Sequence, residues 1–448
     1  MIAPIHSLSE IAVSRRCLLG GLGVAGALAL VGPARGLAQH GHAVESSRSD
    51  PWLRTNPHDG SLYITWIAPE SPGGDHAGES TASPATDEHA SVAPMVNRVY
   101  LARSTDNGAT FGEPVLVSGD DAYASIGATP AVPGFGPDGS VYVAYLSATP
   151  SDVSEWGREI VMVARSDDGT SFDPPIEVPQ DEGITNAGGY HDLIVDGDGR
   201  VYVAWLDFRD TFNLGTGNFD TSAMRVTWSD DGGRTFAPSV EVSKPACPCC
   251  PPRFQFGMDG RLMLAWRDQE DQDDGGDPMR DPAVAWSDDR GATWTAPEVV
   301  HRDGWRMPQC PHSGPGYGVD ADGHQHVAWF TGAEGRVGVY YAVADAAGAA
   351  FSAPVALLTD EWVPITPARL ALDAQGNAYV AFVDAREETP LVIMNRIAPD
   401  GTVSGFGPAN LSGVYPTIAI EGDTLTLGYV ADGDIQVVAV PLSGDAGA

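Results

Sequence analysis

Asp198-Gly199-Arg200-Val201-Tyr202-Val203-Ala204-Trp205, and further along Ser229-Asp230-Asp231-Gly232-Gly233-Arg234-Thr235-Phe236, decide the fold of this chain. The first stretch is a turn followed by a run of β-branched and aromatic residues, the pattern of a strand. Its Asp-Gly pair suits a hairpin turn, because glycine takes positive φ without a Cβ clash. The unit recurs as Asp59-Gly60 to Trp66, Asp138-Gly139 to Tyr145, Asp259-Gly260 to Trp266 and Asp322-Gly323 to Trp329. Weaker copies are Gln375-Gly376 to Phe382 and Glu421-Gly422 to Tyr429. The second stretch alternates with the first, with copies from Ser104 and Ser287 and a shorter one from Ser166 to Phe172. Degenerate copies end at Phe351 and Phe406. Its Ser and Asp side chains can bond nearby amides, its glycine permits the turn, and its aromatic can pin the turn to its own blade. Each pair of stretches predicts a four-stranded antiparallel sheet. Radial repetition of such sheets predicts an all-β chain, a β-propeller. Seven units of the first kind favour seven blades, with six as the alternative. The last unit has room for three strands, and segment 39–50 is expected to supply its missing edge strand.

Composition narrows the function. Of 448 residues, 53 are Gly and 35 Pro, which excludes a coiled coil or helical bundle. A hydrophobic content of 43% excludes a wholly disordered chain. A formal charge of -35 makes nucleic acid and anionic membranes poor partners. Cationic ligands and divalent metals stay open. The sole lysine, Lys244, leaves little room for lysine chemistry.

The chain begins with Ser14-Arg15-Arg16-Cys17-Leu18-Leu19-Gly20, an apolar run to Val31, and Gly36-Leu37-Ala38. This reads as a twin-arginine (Tat) signal peptide over 1–38, so the expected location is periplasmic or extracellular. No other apolar run has membrane length. Residues 39–448 then form one propeller domain, with a mobile Gly/Ser/Pro-rich insert at 70–95. An oxidising destination makes two disulfides the first reading of Cys247, Cys249, Cys250 and Cys310.

Propeller topology sorts the loops. First-type turns and Ser/Asp turns share one face; the links between second and third strands, and the crossovers between blades, share the other. That second face collects Lys244-Pro-Ala-Cys247-Pro-Cys249-Cys250-Pro-Pro-Arg253 and Asp303-Gly-Trp305-Arg306-Met307-Pro-Gln-Cys310-Pro-His312-Ser313. It also carries Asp207-Phe-Arg209-Asp210, Arg267-Asp268, Asp384-Ala-Arg386-Glu387, Tyr190 and His191. Adjacent crossovers are neighbours, so the four cysteines are expected to meet near the central channel. A thiolate-rich site for copper or zinc, with His312 and Met307 near it, is the alternative to disulfides. The acidic stretch 268–281 resembles a calcium loop in composition but lacks EF-hand spacing, and reads first as a solvated charge run. His324 and His326, one apart on a strand, are not read as a site.

The S-x-D-x-G-x-T-[FW] stretches resemble the Asp boxes (BNR repeats) of sialidase-like propellers. With Cys-x-Cys-Cys in a crossover, the chain looks like an exported subgroup of that family. The resemblance implies a glycan ligand or another small molecule at the channel mouth, and, if the protein is an enzyme, a glycosidase of acidic sugars. It implies an arginine cluster that grips a carboxylate, for which Arg209, Arg267, Arg306 and Arg386 are the candidates. Asp207 or Asp268 would be acid/base, and Tyr415 stands roughly where the family places its tyrosine. Leu53-Arg54-Thr55-Asn56 occupies the place of the family's Arg-Ile-Pro motif and departs from it. A metal or redox propeller built on the cysteines, and a non-catalytic interaction scaffold, are the competing functions.

Overall fold

The computed structural model describes residues 49–70, 96–119, 124, 129–149, 158–178, 181, 188–209, 212–213, 218–219, 222–271, 276–307 and 311–443. The expected signal peptide, most of the 70–95 insert and Cys310 lie outside these residues.

Seven antiparallel sheets follow one another along the chain, as seven blades. Their spans are 49–116, 132–178, 189–246, 253–299, 316–359, 369–412 and 414–441. The first six have four strands in sequential order from the channel outward, and the sixth carries one extra short strand. In blade 3 a small hairpin, Phe212–Asn213 with Asn218–Phe219, interrupts the link between second and third strands. The seventh blade has three described strands. No helix among the described residues is long and apolar enough to cross a membrane.

The second strand of each blade explains the sequence pattern. Val201–Asp207, Leu262–Arg267 and Gln325–Thr331 are buried at every position. A strand sandwiched between two neighbouring sheets has no solvent face, so its sequence reads as a nearly continuous apolar run. Seven apolar clusters fill the seven seams between blades. At about 25 cal/mol per Å² of buried apolar surface, these seams are the main source of stability.

Among the described residues, no strand is shared between blades 7 and 1. Ser49 and Asp50 begin the innermost strand of blade 1, Ser49–Thr55, which pairs with Leu62–Glu70. They do not supply an edge to blade 7, as the sequence had suggested, and 39–48 lie outside the described residues. Blades 7 and 1 instead meet through Leu53, Trp66, Ala419 and Val437. Three hydrogen bonds cross that seam: Leu53 N to Thr417 Oγ1 (2.9 Å), Thr55 Oγ1 to the Ile420 carbonyl (3.0 Å) and Thr426 Oγ1 to the Asn107 carbonyl (3.2 Å).

The Ser/Asp turns are closed by their own side chains. Ser229 Oγ donates to Asp231 (2.7 Å) and accepts from Gly233 N (2.8 Å). Asp231 in turn accepts from Thr235 N (2.9 Å) and Thr235 Oγ1 (2.6 Å). The same four bonds recur at Ser104–Thr110 and Ser287–Thr293. Gly108 shows why glycine is needed: its φ is +80°, and a Cβ would come within 2.8 Å of the Thr426 side chain. The aromatics Phe111, Phe172, Phe236, Trp294 and Phe351 reach beyond their own blades. They enter the seam with the preceding blade, where more apolar surface is available.

Candidate functional site

Strand register defines one level in the channel. On each inner strand, one residue pairs with the position just before the aromatic of the second strand. These residues are Trp52, Val132, Asp192, Arg253, Gly316, Arg369 and Thr417. Two positions earlier stand Asp50, Tyr190 and Tyr415 in blades 1, 3 and 7, with φ of +53°, +53° and +54°. Each lies at a register shift of its inner strand. Three non-glycine residues held in the left-handed region at equivalent points mark local backbone strain, which concentrates at functional mouths.

All seven inner strands line a central cavity of about 460 Å³, which includes Trp52, Arg54, Arg253, Arg369 and Thr417. Arg253 Cζ lies 4.3 Å, and Arg369 Cζ 4.9 Å, from the centre of the Trp52 ring. Only 5% of Arg253 is exposed. Its Nη1 donates to the Pro252 carbonyl (2.6 Å), but its Nη2 has no partner. Arg369 leaves both Nε and Nη1 without partners, and the Trp52 indole nitrogen is likewise unmatched. Burial pushes the Arg253 guanidinium down to about 10, against the favourable charge of Asp192. Burial and the neighbouring Arg253 charge push Arg369 down to about 9, and Asp50 opposes this. Unpaired buried charge is costly, and native proteins rarely leave it without a reason.

Arg54 is spent on the channel wall. Its Nη1 donates to the carbonyls of Pro133 (2.9 Å) and Leu193 (2.5 Å), and its Nη2 meets Asp192 at 3.4 Å. Asp192 Oδ2 also accepts from Phe254 N (2.7 Å), which fixes the strand that presents Arg253. Below Arg253, His191 is fully buried with its Nε2 on the Ala144 carbonyl (2.9 Å) and its Nδ1 unmatched.

The arginines that the sequence singled out lie elsewhere. Arg209 is a latch: Nε and Nη2 grip Asp207 (2.8 and 2.7 Å), and Nη1 reaches Asp181 (2.7 Å). Arg386 repeats this with Asp384 (2.9 and 2.7 Å) and Asp360 (2.7 Å). Each latch ties the end of a second strand to the crossover from the preceding blade. Asp207 further accepts the Trp205 indole N–H (2.8 Å). Arg267 is 1% exposed, gives its donors to the carbonyls of Ser313, Arg280 and Phe330, and lies under Trp305. Arg306 is exposed and bridges Met279 through its backbone.

Tyr415 is 46% exposed at the start of the last inner strand. Burial of its ring edge and the charge of Asp50 raise its pKa, so it stays a protonated phenol and a donor. Asp268 accepts from Trp266 Nε1 (3.0 Å) and Ser243 Oγ (2.9 Å), and burial raises its carboxyl. Asp281, at the far end of the acidic loop, is pushed up to about 6 by burial and by Asp303. Residues 272–275 of that loop lie outside the described residues.

The cysteines of blade 3's exit do meet. Cys247 Sγ is 3.8 Å from Cys249 Sγ and 3.5 Å from Cys250 Sγ. A disulfide needs about 2.05 Å, so the three are not linked to one another. Two disulfides among four cysteines would need one such link, so that first reading fails; a link to Cys310 lies outside the described residues. Burial pushes the Cys247 thiol up, but hydrogen bonding with Cys249 and Cys250 and the charges of Arg280 and Arg267 outweigh it and leave it low. Burial and the neighbouring Cys247 raise the Cys250 thiol. Tyr190 packs on the cluster and its hydroxyl is 3.3 Å from His312 Nδ1. His312 is exposed and does not join the three sulfurs.

Sequence reasoning missed Arg253 and Arg369 as a pair. Each opens an inner strand in an equivalent position of the repeat, Arg253 directly after Pro251-Pro252 and Arg369 after Pro367-Ala368. That alignment was the available signal. It also passed over Asp320, His324 and His326, whose ligand atoms cluster on the opposite face; Asp320 Oδ2 is 2.7 Å from His324 Nδ1.

No family model matches the chain, and no curated protein matches it in sequence. Its fold is shared with solved structures. An ulvan lyase of a polysaccharide lyase family aligns with a TM-score of 0.56 at 12% identity, over 88% of this chain and 95% of that one. The same kind of lyase bound to -[GlcA(1-4)Rha3S]- gives 0.54 at 11% identity, with the same coverages. The Hadza microbial sialidase Hz136 gives 0.49 at 16% identity, over 88% of this chain and 66% of that one. At these identities the likeness establishes the propeller fold.

Proposed function

We propose that this is an exported, sialidase-like propeller that binds or acts on acidic glycans. The ligand's carboxylate or sulfate would lie against Arg253 and Arg369 beside Trp52. The observation that carries the reading is the set of unmatched guanidinium donors lining the channel cavity. An anion supplies the missing acceptors and the missing charge, and two guanidiniums in a low-dielectric channel favour a bidentate oxyanion. A cavity of about 460 Å³ suits a mono- or disaccharide end. Trp52 adds an apolar ring face of the kind that sugars stack on. A lyase of the same fold holds -[GlcA(1-4)Rha3S]-, an acidic repeat, which agrees with this reading. Tyr415 and Asp50 at the rim would orient the sugar hydroxyls, with Tyr415 donating rather than attacking.

The test is calorimetric titration of the whole protein with uronate- and sialate-terminated oligosaccharides and with neutral arabino-oligosaccharides. Acidic ligands should bind one per chain and raise Tm, while neutral ones should do neither. Equal binding of neutral and acidic sugars, or none by either, contradicts the proposal.

A further inference from the structure

On the turn face, away from the channel mouth, blade 5 places two imidazoles where equivalent blades place other groups. We infer that Asp320, His324 and His326 bind one zinc(II) ion, at a site independent of the glycan reading.

The repeat supplies the contrast. In blades 3, 5 and 6 the inner strand enters the second strand through the same backbone turn, begun by Asp196, Asp320 and Asp373. One carboxylate oxygen caps each turn: Asp320 Oδ1 accepts from Asp322 N (2.9 Å) and His324 N (2.8 Å), and Asp196 and Asp373 do the same. The other oxygen faces side chains. In blade 3 Asp196 Oδ2 accepts from the Tyr202 hydroxyl (3.0 Å) and Arg290 Nη2 (2.7 Å). In blade 6 Asp373 Oδ2 accepts from Asn377 Nδ2 (2.7 Å) and the Tyr379 hydroxyl (3.0 Å). A guanidinium, an amide and a phenol complete the turn by donating protons. In blade 5 the same oxygen meets His324 Nδ1 (2.7 Å) and His326 Nε2 (3.2 Å). An imidazole can give up its proton and offer a lone pair instead, so this turn alone of the three presents two nitrogen ligands beside its carboxylate.

The geometry suits the ion. The three ligand atoms lie within 4.8 Å of one another. Zinc takes imidazole nitrogen and carboxylate oxygen at about 2.0–2.2 Å in a tetrahedron, which sets the donors about 3.3 Å apart. His326 Nε2 already stands at that spacing from Asp320. His324 must withdraw by about 0.6 Å; it precedes the strand Gln325–Thr331 and its side chain is 37% exposed, so it is free to do so. The exposed side of His324 also leaves room for water as a further ligand. Behind His326, the Tyr341 hydroxyl is 2.6 Å from Nδ1. With zinc on Nε2 the ring proton resides on Nδ1 and is donated to Tyr341, a bond that fixes the tautomer and the ring of a ligating histidine. Asp322 and Asp345 are exposed and add negative charge beside His324, which attracts a cation. Binding releases the displaced imidazole protons to solvent and requires no electron transfer.

The test uses the full, untagged chain, stripped of metal with a chelator. Zinc sulfate is titrated by calorimetry, and zinc-soaked crystals are measured at the zinc absorption edge. An anomalous peak between Asp320, His324 and His326 is expected, with a rise in Tm on binding. Wild type should bind one equivalent more than His324→Ala, whose affinity at this site should fall by more than about 100-fold. Tyr341→Phe keeps all three ligands and should weaken zinc about 10- to 100-fold while the β-sheet circular dichroism is unchanged. Locating zinc in the wild type needs no variant, so misfolding of a variant leaves the inference testable. Zinc peaks only elsewhere, at the cysteine crossover for example, would overturn it. So would equal stoichiometry and affinity in wild type and His324→Ala. Each outcome leaves the glycan titrations unaffected, because the channel mouth lies on the other face.

Discussion

Two pairs of arginines, repeated in different layers of the same ring, behave in opposite ways. Arg209 and Arg386 each meet two aspartates with three short bonds. Arg253 and Arg369 lie against Trp52, with donors, Arg253 Nη2 and Arg369 Nε and Nη1, that nothing among the described residues accepts. The latches solve a structural problem, holding loops to blades. The channel pair creates a problem, buried positive charge, that folding alone does not resolve. Pairing therefore separates scaffold from site better than residue type or position on a face. The strained Asp50, Tyr190 and Tyr415 stand two positions before the channel level on their inner strands.

The comparison can be broken from either side. The largest effect belongs to Arg209→Ala. Asp207, whose side chain is 1% exposed, would be left buried without its cation, at a cost of about 3–5 kcal/mol. A denaturation midpoint that does not move would show that the latch holds nothing. On the channel side, burial and the Arg253 charge push His191 down to about 4, despite the Ala144 carbonyl. In the unfolded chain it titrates near 6.5, so between these values the unfolded state binds the extra proton. Stability should then fall as pH drops from 6.5 to 4, by up to about 3 kcal/mol at 1.36 kcal/mol per pKa unit. Stability that stays flat over this window in pH-dependent melts, relative to His191→Gln, would refute the buried neutral imidazole.

Arg369→Met should weaken acidic ligands about 30- to 150-fold, the equivalent of about 2–3 kcal/mol for hydrogen bonds to a charged group. Its Tm should hold or rise, since two buried, unmatched guanidinium nitrogens are removed. A lower Tm with unchanged affinity would make the channel pair a second scaffold. The smallest effect is Arg386→Ala, about 1 kcal/mol, because Asp360 is half exposed and Asp384 retains some solvent. Sugar affinity should be unchanged in that variant.

The sequence carried the fold further than the site. Strands such as Val201–Asp207 and the Asp-Gly turns are local signals, repeated until the ring is implied, and seven blades were legible. The three-stranded last blade was legible too. How the ring closes was not, because Leu53 and Thr417 are distant in sequence and their contact has no local pattern. The position of Asp207 and Asp268 at strand ends was visible; of the four cysteines expected to meet, Cys310 lies outside the described residues. The state of an arginine was not visible. Arg386, with Asp384 two residues away, looks charged and available, but the pair saturates itself. Arg369 sits in Pro-Ala-Arg-Leu, which reads as strand onset, and its isolation appears only when seven strands surround it. Local sequence shows which charges have near partners; it does not show which lack distant ones.

The most direct test compares one acidic oligosaccharide with its carboxyl-reduced neutral counterpart, on wild type and on the Arg253→Met/Arg369→Met double variant. The account predicts that wild type prefers the acid by at least about 30-fold, one guanidinium hydrogen bond's worth. It predicts that the preference disappears in the variant while Tm holds or rises. A preference that survives in the variant, or one absent from wild type, would contradict the claim that the channel arginines are the site.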